Sequence, residues 1–475
     1  MSVSAALRSA GLVLLGAWMV LPFLPSCDGD RRAALPDLVV VTVDTLRADR
    51  LGCYGYFRDT SPAIDALAAE SVVFEDVVTT MSTTLPAHVS LWESRYPLQT
   101  GVVTNDIRYN REPVTPARSF AEILRDLGYE TAAFVSAAPL RAVTGVSVGF
   151  DTFDEPPEDR VERRADRTTD RAIAWLRGRA SEGEHRERNR GEGTGEGGGR
   201  GRPLFLWIHY YDPHEPYAPP PGFEAWPADA SRQQAWLAER GVLVATPPVV
   251  RHNDGYDGEV RFTDSQVGRL IDALRDLRLF EDAAFVLTSD HGEGLGQHGE
   301  IGHGWIYNEQ LRIPWILKLP VGISVPSGER RSGRYSILDV VPTLVRALDL
   351  RVPARDRERF EGIDALREVR EWSFAQRTEH PEDRRWGAER QHAILGPRWK
   401  FLSRTDGPPE LYDLPRDPHE STDLAPLRPA VLPAIEARLH DFVVEHGRDA
   451  RARGTERPVD ERLREQLRAL GYLGD

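Results

Sequence analysis

The chain has 475 residues, 40% of them hydrophobic and 28% charged. That is enough to bury a large core, as one big domain or a big one with a small one. A formal net charge of −14 at pH 7 argues against a nucleic-acid binder, which needs a basic face to neutralise phosphates.

Two cysteines occur, Cys27 and Cys53, too few for a disulfide framework or a cysteine metal motif. Cys27 follows Arg8 and an apolar run from Gly11 to Leu24. This run is short for a membrane-spanning helix and fits the core of a signal peptide. Leu24-Pro25-Ser26-Cys27 resembles a bacterial lipobox, the signal for cleavage before the cysteine and acylation of its thiol. A plain secretory signal is the other reading. Both give a mature chain that begins near Cys27 and acts outside the cytoplasm, in the periplasm or at the cell surface. On the first reading Cys27 is the lipidation site and a lipid holds the protein to a membrane. Asp28 resembles an inner-membrane retention signal of some bacteria. Only two lysines, Lys318 and Lys400, stand among the many arginines.

Residues 1–26 thus read as a signal peptide and 27–36 as a tether. Leu38 to Val43 is a continuous apolar, β-branched run, the pattern of a strand buried on both faces, and it ends at Asp44. Ser61-Pro62 starts a helix to about Glu70 by cap and first-turn logic. Further helices are expected over Ala117–Leu127 and Asp166–Arg177, with a strand over Thr131–Ser136 between them. Residues 181–202 are Gly, Glu and Arg with almost nothing apolar, so a disordered surface insertion is expected. Pro203 to His209 reads as a buried strand, Asp257–Leu277 as a long helix, and Ala283–Thr288 as another buried strand leading into Ser289-Asp290-His291-Gly292. This alternation implies an α/β fold with a large, mostly parallel sheet flanked by helices over 37–370. A smaller C-terminal α/β subdomain is expected over 371–475, with a terminal helix near Glu461–Leu470.

Three strand ends carry polar clusters: Asp44, the stretch His209 to His214, and Asp290-His291. Open α/β sheets bind ligands just beyond the carboxyl ends of their strands, so the fold gathers these groups on one rim. Asp and His together suit a divalent cation of borderline hardness such as Zn²⁺ or Mn²⁺, whereas an all-oxygen set points to Ca²⁺ or Mg²⁺.

Val43-Asp44-Thr45-Leu46-Arg47-Ala48-Asp49-Arg50-Leu51-Gly52-Cys53-Tyr54-Gly55 resembles the opening segment of the sulfatase family, within the alkaline phosphatase superfamily. So do Ser289-Asp290-His291-Gly292-Glu293 with Leu295-Gly296-Gln297-His298-Gly299, and the tail Glu410-Leu411-Tyr412-Asp413-Leu414, Asp417-Pro418 and Asp423-Leu424-Ala425. The segments lie in the family's order and span 37 to 425. The resemblance implies an alkaline-phosphatase-like fold and one divalent cation, Ca²⁺, Mg²⁺, Mn²⁺ or Zn²⁺, held by Asp44, Asp290 and His291. Thr45 stands where relatives often have a carboxylate or amide ligand.

The sequence departs from the family at the nucleophile. Sulfatases carry Cys-x-Pro-x-Arg or Ser-x-Pro-x-Arg, whose first residue becomes formylglycine; here the segment is Thr84-Leu85-Pro86-Ala87-His88. Threonine yields no such aldehyde, but a metal-activated threonine hydroxyl is a nucleophile in its own right, as in related phosphodiesterases and phosphoglycerol transferases. Thr84 is therefore the expected nucleophile and His88 stands in the place of the arginine. His209 and His214 belong to a segment that resembles the family's histidine-bearing loop, and are expected to bind a second metal, steady the substrate oxygens or protonate the leaving group. His303 replaces a lysine and either contacts the substrate or acts as a ligand. The expectation is a metal-dependent hydrolase of sulfate or phosphate esters on a small molecule, glycan or lipid. The alternatives are a phosphodiesterase or phosphoglycerol-type transferase, or an inactive sulfatase-fold binding module.

Overall fold

The computed structural model describes residues 35–466 except 108–109, 111, 114–115, 190–200, 225–228, 243–245, 324, 327, 378–390, 406, 448–449 and 452–464. Eight strands form one sheet: β1 (Asp37–Val43), β2 (Val72–Val78), β3 (Glu130–Phe134), β4 (Thr152–Asp154), β5 (Leu204–Tyr210), β6 (Ala283–Thr288), β7 (Arg312–Lys318) and β8 (Arg330–Ser336), in the order β8-β2-β7-β6-β1-β5-β3-β4. All neighbouring pairs are parallel except those of β7, which runs antiparallel to β2 and β6. β1 lies between β5 and β6, with Thr42 level with His209 on one side and Thr288 on the other. The α/β architecture is the expected one.

Strand alternation splits the core into two layers. Leu38, Val40, Phe205, Trp207 and Val286 face one layer, with the helices Thr84–Glu93, Phe120–Asp126 and Val340–Ala347. Val39, Val41, Leu206, Ile208 and Leu287 face the other, with the helices Pro62–Ala69, Ala165–Asn189 and Pro247–Asp276. The residues of β1, β5 and β6 are therefore buried on both faces, which is why they read as continuous apolar runs.

Two boundaries differ from expectation. The helix starting at Ala165 runs on to Asn189, so the beginning of the segment expected to be disordered is helical. Glu and Arg are good helix formers even without an apolar stripe; 190–200 lie outside the described residues. The long helix begins at Pro247, not Asp257, with proline in its first turn, where the missing N–H costs nothing.

The strands Ser373–Arg377, Gln391–Leu395, Trp399–Arg404 and Glu410–Asp413 form an antiparallel sheet, covered by the helix Leu432–Gly447 through Ile435 and Leu439. This is the expected C-terminal subdomain. Of the expected terminal helix, only 465–466 are described, as helix.

A buried ionic network joins this sheet to the large one. Lys400 Nζ lies 2.5 Å from Glu420 Oε1, with both side chains fully buried. Asn308 N donates to Glu420 Oε2 at 2.7 Å. His298 Nδ1 is 2.8 Å from Glu309 Oε1, and its Nε2 is 3.1 Å from the Glu420 carbonyl. His298, Glu309 and Glu420 are close enough to hold a metal. However, both imidazole nitrogens already have partners and Lys400 balances Glu420, so the group is a self-neutralising clamp. Burial alone would lower the His298 pKa, but Glu309 outweighs it and raises it to about 9. A histidine raised on folding stabilises fully below its unfolded pKa near 6.5 and loses that contribution as pH climbs through 9. Thermal stability is expected to fall by about 2 kcal/mol between pH 6.5 and 9.5, and His298→Gln to flatten that slope. Parallel melting curves for the two proteins would count against the clamp.

Candidate active site

Asp44 follows β1, Asp290 and His291 come just after β6, and His209 is the penultimate residue of β5. Because these strands are adjacent and parallel, the four side chains meet at one edge of the sheet. All are fully buried. Thr84 opens the helix Thr84–Glu93 on one face of the sheet and is equally buried. Its side chain hydrogen-bonds the Asp44 carboxylate.

Asp290 Oδ1 accepts from the amides of Thr45, at 3.2 Å, and His291, at 2.8 Å. Its other oxygen, together with Asp44 Oδ1 and His291 Nε2, is a buried atom without a hydrogen-bond partner among the described residues. His291 Nε2 is 3.5 Å from Asp290 Oδ2 and 4.0 Å from Asp44 Oδ1. Burial pushes both carboxyls well above their usual range, the Asp44 charge adding to the shift at Asp290. Burial also drives His291 down to about 3, so it is a neutral imidazole with a lone pair. Its Nδ1 lies 2.9 Å from the Gly292 carbonyl, which can only accept, so the proton is on Nδ1 and the lone pair on Nε2. Two buried carboxylate oxygens and one imidazole nitrogen, all orphaned and within 4.8 Å of one another, fit a divalent cation: unpaired buried charge is otherwise too costly to keep.

The loop carrying these ligands is shaped from behind. Gly292 N donates to Gln310 O and Glu293 N to Glu309 O. A Cβ on Gly292 would stand 2.2 Å from the Glu309 carbonyl, so only glycine permits this approach.

Three expected roles change. Thr45 sits at φ 55, and its hydroxyl donates to the Asp44 carbonyl at 2.8 Å. It serves the cluster through its amide on Asp290, and its hydroxyl is not the ligand expected at this position. His88 was expected among the catalytic residues, at the position where the family has an arginine. Its Nδ1 instead lies 2.8 Å from the Thr84 carbonyl and its Nε2 3.1 Å from Thr42 Oγ1, and Trp207 Nε1 donates to that same hydroxyl at 2.9 Å. His88 therefore pins the Thr84 turn from beneath. His209 receives the Ser136 amide on Nδ1 at 3.4 Å, so its Nε2 carries the proton that faces Asp44 Oδ2 at 3.3 Å. Burial lowers it to about 3. A neutral ring that donates to Asp44 Oδ2 orients the carboxylate and leaves Oδ1 for a metal.

Partners that orient a metal's ligands are typically worth 10–100-fold in affinity. His209→Ala is expected to weaken divalent-metal binding by about tenfold or more, measured by competition with a chromogenic chelator. An unchanged affinity would remove this role.

His214 and His303 form the outer lip, 7% and 8% exposed, with their Nε2 atoms 3.1 Å apart. A hollow of about 130 Å³ adjoins His214 and is lined also by Tyr211, Asp212, Arg164 and Glu259. A larger one of about 370 Å³, bounded by Arg47, Arg240, Arg312 and Arg330, contains none of these groups.

The sulfatase family model matches residues 36–350. The chain belongs to the sulfatase family. It is 26% identical over 451 residues to the uncharacterised sulfatase YidJ of Escherichia coli, covering 86% of this chain and 87% of that one. In fold it is similar to a putative sulfatase from Bacteroides fragilis, with a TM-score of 0.69, 19% identity and coverage of 87% and 96%. It is also similar to a phosphonate monoester hydrolase of Agrobacterium radiobacter, with a TM-score of 0.61, 20% identity and coverage of 89% and 100%. Membership of the sulfatase family makes the chain a hydrolase acting on ester bonds. The supporting residues Thr42, Ser136 and Trp207 carry no signal in the sequence: they reach the site only through strand pairing.

Proposed function

We propose that this sulfatase-family protein is a metal-dependent ester hydrolase whose nucleophile is the Thr84 hydroxyl itself. What carries the reading is the contact between that hydroxyl and Asp44, whose other oxygen belongs to the orphaned cluster with Asp290 and His291. A divalent cation bound by these three residues would offset their charge, lower the pKa of a coordinated hydroxyl and polarise the ester. Thr84 Oγ1 attacks the central atom in line; the new O–P or O–S bond forms as the bond to the leaving oxygen breaks, and the proton lost by the Thr84 hydroxyl leaves on the departing alcohol. Water then cleaves the threonine ester and restores the hydroxyl. Asp44 holds the hydroxyl, His88 fixes the turn that carries it, and His214 and His303 face the substrate oxygens from the lip. The leaving group enters by the hollow beside His214.

Of the two ester types, phosphate is favoured. A formylglycine hydrate has a second hydroxyl whose collapse expels sulfate, and a threonine sulfate has none. A phosphothreonine is opened by in-line attack of water on phosphorus.

The same reading places the enzyme outside the cytoplasm, tethered through Cys27. Its support is the pattern of Arg8, the apolar run and Leu24-Pro25-Ser26-Cys27; residues 1–34 lie outside those described. The test is turnover of a bis-aryl phosphate and an aryl sulfate by the purified mature chain before and after chelation. The expected result is phosphodiester hydrolysis that chelation abolishes and a divalent ion restores. Turnover indifferent to chelation, or none with an ion bound, overturns it.

A further inference from the structure

The larger hollow, of about 370 Å³, takes no part in the reaction proposed above. Its walls carry Arg47, Arg240, Arg312 and Arg330 against three acids, Asp49, Glu75 and Glu309. Each acid already has a cation of its own. Asp49 accepts from Nε and Nη2 of Arg47 at 2.9 Å, Glu75 from Nε of Arg330 at 2.7 Å, and Glu309 from Nδ1 of His298 at 2.8 Å. Arg240 and Arg312 are left in surplus, in a chain whose formal net charge is −14. Arg240 Nε lies 3.3 Å from the Asp49 oxygen that Arg47 holds more closely, and its Nη1 lies 3.5 Å from the exposed Glu239. Arg312 Nε lies 3.5 Å from Asp76, which Arg334 holds at 3.0 Å. Among the described residues, Arg240 Nη2, Arg312 Nη1 and Arg330 Nη2 donate to nothing. Other nitrogens of these groups meet the carbonyls of Trp236, Glu75 and Cys53 at 3.2, 3.0 and 2.9 Å, which fixes each guanidinium in place. Gln297, in the same wall and 3% exposed, adds an independent sign. Its Oε1 accepts from Arg47 Nη1 and the Leu295 amide at 3.1 and 3.0 Å, which fixes the amide's orientation. Its Nε2 is then a buried donor without a partner among the described residues, and such a donor is costly to leave unmet.

We propose that this hollow binds an oxyanion, a phosphate, sulfate or carboxylate group, through Arg240, Arg312 and Arg330 with Gln297 in support. Planar guanidinium forks match the oxygens of such groups, and surplus positive charge in a concave wall concentrates anions there. The hollow backs onto the loop of metal ligands. Arg47 Nη1 donates to the Glu293 carbonyl at 2.9 Å, and a Cβ on Gly292 would run into Glu309 and Arg47, two residues of the hollow's wall. An anion seated there steadies the wall that shapes the loop, without touching Asp44, Asp290 or His291. It comes either free from solution or as a second charged group on the substrate. The site goes beyond the reaction proposed above and does not depend on which hydroxyl attacks.

The test is calorimetric titration with inorganic phosphate at physiological ionic strength, where exposed charges are screened. The proteins are wild type, Arg240→Gln, Arg312→Gln and Asp290→Asn, each treated with the same divalent ion. Asp290→Asn removes phosphate binding at the catalytic cation. The Arg312 side chain is 41% exposed, so its replacement leaves the fold intact. The expected result is binding that persists in Asp290→Asn and weakens by about tenfold or more in each arginine variant, the scale of one hydrogen bond to a charged group. Binding that vanishes in Asp290→Asn, or that both arginine variants keep unchanged, overturns the site and leaves the proposed function standing; so does phosphate binding in none of the proteins. Kinetics separate the two sources. A KM raised in the arginine variants for a bis-aryl phosphate with a carboxylate on one ring, and unchanged for the plain ester, assigns the site to the substrate's second charge. Equal behaviour of the two esters assigns it to a free anion.

Discussion

Thr84→Ala is expected to lower kcat/KM on a phosphodiester by about 10³-fold or more, the scale on which removal of a covalent nucleophile acts. Its metal content and melting temperature should stay close to those of the parent. The two halves of that expectation have separate causes. The methyl group of alanine fills part of the same buried space, and the cluster atoms Asp44 Oδ1, Asp290 Oδ2 and His291 Nε2 are untouched. What disappears is the oxygen held against Asp44. Thr84→Ser keeps that oxygen and is expected to retain turnover within about tenfold, the difference reflecting looser χ1 control. The measurement is steady-state kinetics with metal analysis of the same preparations. An alanine variant that turns over like the parent would transfer the role elsewhere, Ser82 and Thr83 being the adjacent hydroxyls.

Asp290→Asn is expected to abolish stoichiometric divalent-metal binding and, with it, at least about 10³-fold of activity. The amide oxygen can still accept from the Thr45 and His291 amides, which now meet Oδ1 at 3.2 and 2.8 Å. The amide NH₂ then takes the place of Oδ2 and points a donor at the cation. The metal-free protein should respond in the opposite direction. Burial raises the Asp44 and Asp290 pKa values, with Asp44 adding to the shift at Asp290. Ionising both at neutral pH therefore disfavours the folded state. A neutral side chain at 290 relieves this, so metal-free Asp290→Asn should melt above the metal-free parent, while metal-loaded parent melts above both. Calorimetry with and without chelator checks the order. A variant that binds metal like the parent would mean that Asp290 is not a ligand.

The strands β1, β5 and β6 were legible because burial on both faces leaves a continuous apolar run, and Asp44 and Asp290-His291 were legible because they stand where such runs stop. The neighbours β2 and β7 went unassigned. Pro314 interrupts β7, at a shift in its register with β2, and the strand begins with Arg312. Both features are tolerable in a sheet but read as breaks in a linear scan. Family resemblance placed His88 and His209 at the site, yet their roles turn on which ring nitrogen carries the proton. Thr42 and the Ser136 amide decide that, and both come from strands or strand ends far away in the chain. The helical start of the segment 181–189 carries no apolar periodicity: lack of apolar residues argues against a core, not against a helix.

The clamp between the two sheets has a consequence for how the protein is made. The ligand loop is stitched to Glu309 and Gln310, and that stretch is held in turn by Glu420 and Lys400. A nascent chain that has reached residue 300 contains every ligand of the first cluster but not the wall against which the loop is shaped. A site whose first ligand lies at residue 44 is thus shaped by contacts that reach to residues near 420. An ion held by Asp44, Asp290 and His291 would therefore meet a fully shaped site only in a chain that extends past residue 420.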